Sequence, residues 1–538
     1  MSDLVDSEWP DYVGAARGPV PAAGPGASGI DRTHVADAAR TPLRPGRRAA
    51  SHGRLHGLVR ARRCWQGFVA PSGRLNPGTI GMFREAHRVA RLLAALLVTM
   101  TALAINAAPL GPETPVVPDV AATRVDPAVA VNAAGVSVVV WRDQAAGIIE
   151  ARRFAADGRA LGPVISVSAR PGNGSDAAPD VAISDSGAFT VAWQREVAVS
   201  VPGLSSATQN VIRRFGADGE PLGEAEVLVE AQRFQALGAP VIAGDGQGRQ
   251  SVVWSRFTIT LRNGAVILPR YYRNDIVRGI SEIFIDQFAA DGSRRGERQT
   301  VGTRGTVDRD AAFAVDGVQA DFDSTRGFRG YDVAMNASGD AAVTWSDEDY
   351  FTVGLYVRPV PTPLGARVVD FHARRYRADG SATGEAETVA TLASASRIAD
   401  ERTAPRIALD DAGTMTIGWT DARTIAFPQG TAYVKRIAAN GLSLRSAIGS
   451  TPGFIPLPPV LAPLDAGRSV AVLTQGGTLE LVAQTVGANG RSAGAPLQVS
   501  PLPRISGLPA VAAQPDGAHP IVWTAEGGSL MMRRFGRP

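Results

Sequence analysis

Residues 178–193 read APDVAISDSGAFTVAW: an alternating apolar segment, a Ser-Asp-Ser-Gly turn, and a second apolar segment ending in tryptophan. Period-two alternation on both sides of a tight turn predicts two antiparallel strands. The phrase recurs as DPAVAVNAAGVSVVVW at 126–141, APVIAGDGQGRQSVVW at 239–254, GYDVAMNASGDAAVTW at 330–345, APRIALDDAGTMTIGW at 404–419, PVLAPLDAGRSVAVL at 459–473 and LPAVAAQPDGAHPIVW at 508–523. In every copy a glycine stands six residues before the last slot: Gly135, Gly187, Gly248, Gly339, Gly413, Gly467 and Gly517. That slot holds Trp141, Trp193, Trp254, Trp345, Trp419 and Trp523, with Leu473 in the sixth copy. These six are all the tryptophans beyond residue 108.

A second half follows six of the copies. ARRFAADGRALGPVISV at 151–167 shows its plan: an alternating strand, an Asp-Gly turn, and a further strand. Asp-Gly and Asn-Gly favour the positive φ that such turns need. The turn glycines are Gly158, Gly219, Gly292, Gly380, Gly441 and Gly490, so the insertions vary in length while the unit persists. Four strands per unit make one antiparallel blade with apolar residues on both faces. Stacking blades radially buries both faces, and seven of them predict a closed, all-β seven-bladed β-propeller.

Closure can be read from the two ends. The last copy finishes at SLMMRRFGRP, where Arg533, Arg534 and Phe535 match Arg152, Arg153 and Phe154, so its fourth strand is missing. Near residue 109 comes PLGPETPVV, whose Leu110, Gly111 and Pro112 match Leu161, Gly162 and Pro163 at the start of a fourth strand. The expectation is that the mature N-terminus completes the last blade and that residues 109–538 are one domain.

The region before that domain has a different composition. Residues 1–81 are rich in Arg, Pro, Gly and Ala without sustained periodicity, and read as a disordered or misassigned extension. Residues 82–108 carry Arg84, Arg88 and Arg91, then an apolar run from Leu92 to Ile105, then small residues, which is the layout of a signal peptide. The run is shorter than the ~20 residues of a membrane span. A secreted protein, extracellular or periplasmic, is therefore expected. Contact with a membrane is expected only through that segment, were it left uncleaved as an anchor.

Charge and cysteine usage exclude several functions. Formal net charge is +4 for the 538 residues, but residues 1–108 hold 14 Arg against 7 acidic residues, leaving 41 basic and 44 acidic beyond them. The domain is thus slightly acidic and does not suggest nucleic-acid binding. Cys64, the single cysteine, lies before the signal segment, so disulfides, thiol nucleophiles and Cys-ligated zinc are excluded from the mature chain.

The phrase RF-AADG-xxxG-xxxxV followed by P-x-VA-xxxx-G-xxxV-x-W resembles a repeat found in tandem in secreted and surface proteins of bacteria, and the likeness spans the mature chain. The resemblance implies a propeller and an extracytoplasmic setting. It implies no single activity, no cofactor and no catalytic residues. No blade carries the D-x-D-x-D-G pattern of a calcium loop.

No catalytic motif stands out. His372 and His519, the mature histidines, lie in different repeats, and there is no H-E-x-x-H or phosphate loop. The acids Asp347, Glu348 and Asp349, and Asp321 with Asp323, could serve a glycosidase, but solvated loop charge is the plainer reading. The tryptophan series could be a ring of ligand-stacking aromatics. Its fixed register favours packing between blades.

Loop length is more informative. Repeats two, three and four carry long insertions after the tryptophan, and 308–330 is a further insertion between blades three and four. Both kinds of connection emerge on the same face of an antiparallel propeller, and loops gathered on one face commonly bind. The candidate binding residues are Arg270, Tyr271, Tyr272, Arg273, Asp347, Glu348, Asp349, Tyr350, Phe351 and Tyr356. Alternatively, these aromatics pack on one another as a cap. The expectation is a noncatalytic binding or scaffold propeller, monomeric and without metal or cofactor, for a protein, peptide or glycan. The rivals are a polysaccharide hydrolase or lyase and a purely structural surface protein.

Overall fold

The alternating segments on either side of each tryptophan form the strands expected of them, and the glycines turn the chain between them. Gly187 at φ 88° and Gly219 at φ 92° occupy the left-handed region that L side chains avoid. The computed structural model describes residues 108–536 except 119–122, 170–173, 202–203, 233–234, 262–275, 306, 309–312, 316–317, 357–361, 395–403, 423–428, 453–456, 476–479 and 501–504. The readings made for residues 1–107, signal segment included, lie outside the described residues.

Blade one consists of Arg124–Val131, Ser137–Asp143, Ile148–Phe154 and Ile165–Ser166, paired antiparallel in that order. Blade two repeats the plan with Ser175–Ile183, Phe189–Val201, Leu204–Phe215 and Glu226–Glu230. Blade three has a split inner strand, Gln235–Leu237 and Val241–Gly244, then Gln250–Leu261, Ile276–Phe288 and Gln299–Gly305. Blade four is Val318–Met335, Ala341–Tyr356, Thr362–Tyr376 and Glu387–Ser394, with Val307–Asp308 and Phe313–Val315 added beside its first strand. Blade five is Arg406–Leu409, Met415–Ala422, Gln429–Ile437 and Ser443–Pro452; blade six is Val460–Pro463, Ser469–Gln475, Glu480–Val486 and Ser492–Gln498.

Blade seven takes Ile505–Val511, His519–Ala525 and Leu530–Phe535 from the end of the chain and Thr114–Pro115 from its beginning. Thr114 stands opposite Met532 and Pro115 opposite Met531. The N–H of Leu110 donates to the Arg534 carbonyl at 2.9 Å, and that of Val116 to the Leu530 carbonyl at 2.8 Å. The inner strands of consecutive blades touch all the way round, including blade seven against blade one. The seven-bladed β-propeller is closed by hydrogen bonds between the two ends of the domain.

The tryptophans lie between blades. Trp345, the most exposed of the six, is only 4% accessible. Trp193 packs with Val138, Val140 and Ile149 of blade one, and Trp419 with Phe371 of blade four. Burial of ring area at one register in each seam is a large share of what holds neighbouring blades together.

Paired cations in the third strand add polar staples. In blades one, two, five and seven the first of the pair reaches back to the outer-strand segment of the preceding blade: Arg152 to the Val116 carbonyl, Arg213 to Val167, Lys435 to Val389 and Arg533 to Val499. The second reaches forward to the turns of the next blade: Arg153 to the Ala217 carbonyl, Arg214 to Gly292, Arg375 to Gly413, Arg436 to Gly467 and Arg534 to Ala156. Blade three has Asp286 and Gln287 at these positions, and Arg298 and Arg295 supply the cations from its fourth-strand side. Each seam of the ring is crossed by at least one such side chain. Charge-assisted bonds from these side chains to backbone carbonyls of the neighbouring blade help fix the register of the stack.

Candidate functional site

The second strands of blades one, six and seven stop two residues after the tryptophan slot, at Asp143, Gln475 and Ala525. Those of blades two, three and four continue to Val201, Leu261 and Tyr356. The partner strands follow them to Leu204 opposite Val201, Ile276 opposite Leu261 and Thr362 opposite Leu355, with a register shift near the end of the pairing in blades two and three and none in blade four. The insertions expected as loops are therefore largely hairpins that prolong three consecutive blades on one face. Most of 308–330 is likewise strand, paired with the second strand of blade four from Gln319 to Met335. The local reason is composition: VAVSV, FTITL and YFTVGLY are β-branched and aromatic, and no proline interrupts them.

At the base of these hairpins, one row above the tryptophans, lies a belt of paired charges. In blade two the Arg195 Nε donates to Asp176 Oδ1 at 3.0 Å, and the aspartate is fully buried. In blade three Arg256 holds Glu282 Oε2 through Nη2 at 2.7 Å and Nε at 3.1 Å. In blade four Asp347 pairs with Arg304 of blade three, with His372 Nε2 4.0 Å from the same carboxylate. His372 also stacks on Trp345 at 5.4 Å. Burial pulls the imidazole pKa below its ordinary value against the opposing pull of Asp347 and Asp370, so the ring is neutral at pH 7.

The solvated-loop reading of the acidic cluster is corrected. Asp347 and Glu348 are strand residues and buried, because they sit where blade four continues rather than where it turns. Asp349, Tyr350, Phe351 and Tyr356 belong by backbone to the same strand, Ala341–Tyr356, and Asp321 and Asp323 to Val318–Met335. Arg270, Tyr271, Tyr272 and Arg273 lie outside the described residues. His372, which no motif linked to an acid, meets Asp347 because the register puts Trp345 opposite His372 and Asp347 opposite Asp370.

A second polar group flanks the central channel. Asp180 and Asp332 occupy one repeat position on the inner strands of blades two and four, where blades one and seven have Ala128 and Ala510. Each carboxylate spans two blades: Asp180 accepts the N–H of Val181 at 2.9 Å and of Ile242 in blade three at 2.8 Å. Asp332 accepts the N–H of Val333 and, in blade five, of Ile407, both at 3.0 Å. Arg406 of blade five lies 4.0 Å from Asp332. Burial of its carboxyl pushes the Asp180 pKa up to about 7, the Ile242 N–H working against it and the charge of Asp332 adding to it. Asp332 is raised too, by burial, with Arg406 opposing. These residues escaped sequence reading; charged side chains at a repeat position that is apolar in blades one, three, six and seven were the available signal. Among the described residues no group of His, Cys, Asp and Glu could hold a metal ion.

No family model matches the chain. No curated protein matches it either. Solved structures resemble it at low identity. The α-L-arabinanase of Penicillium chrysogenum, complexed with arabinobiose, is 9% identical over 79% of this chain and 97% of its own, with a TM-score of 0.37. The GH93 α-L-arabinofuranosidase of Fusarium graminearum is 10% identical over 67% of this chain and 92% of its own, at 0.35. A prolyl endopeptidase is 12% identical at 0.34, and this chain spans 46% of its length.

Proposed function

We propose that this protein is a noncatalytic binding or scaffold propeller acting outside the cytoplasm, taking a protein, peptide or glycan on the face built up by blades two, three and four. The observation that carries this reading is the prolongation of three consecutive blades on one side, in a ring where the second strands of blades one, six and seven stop two residues past the tryptophan slot. A strand that continues after its blade is complete adds nothing to ring closure, and extra structure gathered on one face of a repeat protein is the usual place of binding. The belt of charge pairs beneath the hairpins supports it as a rigid base. Arg195, Arg256 and Arg304 are each locked to a carboxylate, so the platform is fixed before any ligand arrives. A glycan array and a pull-down with residues 109–538 test the reading: binding without turnover supports it, and release of reducing sugar from any bound polysaccharide contradicts it.

The polysaccharide-hydrolase reading draws on two inner-strand carboxyls, Asp180 and Asp332, both raised by burial, with the charge of Asp332 adding to the shift of Asp180, since such an enzyme needs a pair of carboxyl groups. Against it, both oxygens of each carboxylate already accept a backbone N–H, one from the next residue of the same strand and one from the following blade. That arrangement suits a clamp between blades better than a group that must give its proton to a substrate. Loss of reducing-sugar release in Asp180→Asn, with an unchanged melting temperature, is what the hydrolase reading requires.

A further inference from the structure

The turn between third and fourth strands has one geometry in six blades. Its first residue and its glycine exchange backbone bonds across the turn, as in Ala155 N to Arg159 O at 2.8 Å with Gly158 N to Ala155 O at 2.9 Å. Blade five matches it with Ala438 N to Leu442 O and Gly441 N to Ala438 O, both at 2.9 Å. The residue before the glycine is aspartate in blades one to four (Asp157, Asp218, Asp291, Asp379) and asparagine in blades five and six (Asn440, Asn489). Its side chain does one thing in all six: Oδ1 accepts the N–H two residues on. The distances are 2.9 Å for Asp157, 3.0 Å for Asp218, 3.1 Å for Asn440 and 3.0 Å for Asn489. An oxygen acceptor is all the turn uses.

The amide half of Asn440 and Asn489 is idle: neither Nδ2 donates a hydrogen bond among the described residues, and both side chains are exposed. Asn132 and Asn336, in the turns between first and second strands, differ. Each accepts an N–H through Oδ1 and donates through Nδ2 to a carbonyl of the next blade, Ser184 at 3.2 Å and Asp410 at 3.4 Å. Both are followed by alanine, whereas Asn440 and Asn489 are followed by Gly441 and Gly490, which have no side chain of their own to hinder approach to the peptide nitrogen once its N–H leaves the turn carbonyl of Ala438 or Gly487.

We propose that Asn440 and Asn489 are sites of spontaneous deamidation, at which the side-chain amide becomes the carboxylate that blades one to four already carry. The peptide nitrogen of Gly441 attacks Cγ of Asn440. The N–Cγ bond forms, the Cγ–Nδ2 bond breaks, and ammonia leaves with the proton of the glycine nitrogen. Water then opens the cyclic imide, at one carbonyl to give aspartate and at the other to give isoaspartate; no oxidant or reductant is needed. Aspartate fits the turn, since its Oδ1 takes over the Leu442 N–H. Hydrogen bonds from Ser293 and Ser381 hold Asp291 and Asp379 below the ordinary carboxylate range, whereas blades five and six have Leu442 and Arg491 in the place of those serines. Isoaspartate inserts one carbon into the backbone and breaks the paired bonds between Ala438 and Leu442.

The test is incubation of the folded protein at mildly alkaline pH, followed by peptide mapping that separates aspartate from isoaspartate, alongside the variants Asn440→Asp with Asn489→Asp, and Asn132→Asp. Amide loss is expected at Asn440 and Asn489 and not at Asn132 or Asn336. The double Asp variant should melt with the parent, Asn132→Asp should melt lower, and molecules carrying isoaspartate should melt lower than those carrying aspartate. Retained amides at Asn440 and Asn489 after the unfolded chain has lost them would overturn the assignment of these sites. A lowered melting temperature in the double Asp variant would overturn the equivalence of the six turns.

Discussion

Thr114 stands opposite Met532, its hydroxyl 3.4 Å from the methionine carbonyl, although 418 residues separate them along the chain. The fourth strand of blade seven is therefore present only when the two ends of the domain meet. Because a disulfide is not available to do this, the closing strand carries the role that a covalent staple plays elsewhere. Removal of residues 109–118 should leave the Leu530–Phe535 edge unpaired and lower the melting temperature sharply. Calorimetry reads this directly, and an unchanged transition counts against closure by pairing.

Trp419 sits between blades four and five, against Phe371 on one side and Tyr433 of its own blade. Its replacement by alanine leaves a ring-sized void in a seam and should cost ~3–5 kcal/mol. Denaturant unfolding measures the cost. A variant as stable as the parent that has lost a ligand would make the residue part of a binding ring rather than of the packing.

Arg375 joins blades four and five by donating to the carbonyls of Gly413, of Ile437 at 2.8 Å and of Ala438 at 3.2 Å. Arg375→Ala removes all three donors at once and should destabilise by ~2 kcal/mol. Thr485, at the equivalent position of blade six, makes no such crossing among the described residues, and Thr485→Ala should have little effect under the same denaturant series.

Asp180 gives the protein a pH dependence of known sign. In the unfolded chain the carboxyl titrates near 3.8, in the folded ring near 7. The folded state thus binds the proton more tightly, and the stability this contributes is complete below the lower value and lost as pH rises through the upper. The melting temperature should fall between about pH 4 and about pH 7, and Asp180→Asn should flatten that slope while keeping the bond from Ile242 N–H. Equal slopes in the two proteins would assign the dependence elsewhere.

The fold was legible because the repeat states one local rule seven times: alternation, a glycine turn, a bulky slot. Even the closing strand could be matched through Leu110, Gly111 and Pro112. The site was legible only as a place. Long insertions marked the face, but their β-branched segments were read as loops, since length alone says nothing of pairing. The charges of Asp347 and Glu348 were assigned to solvent because sequence does not show that Arg304, in a neighbouring blade, reaches the first of them. Asp180 and Asp332 went unnoticed for a related reason: their partners are backbone N–H groups of other blades, which carry no sequence signature.

The central claim is that blades two to four present the binding face. It is tested most directly by replacing residues 257–281 of blade three with the short turn 144–147 of blade one, which preserves the Arg256 and Glu282 pair at the base. Binding to whichever glycan or protein the intact domain retains is then measured beside the melting temperature. The account predicts that binding is lost while the ring melts as before. Undiminished binding by the trimmed ring, or a hydrogen-exchange footprint of the bound partner confined to the opposite face, would contradict it.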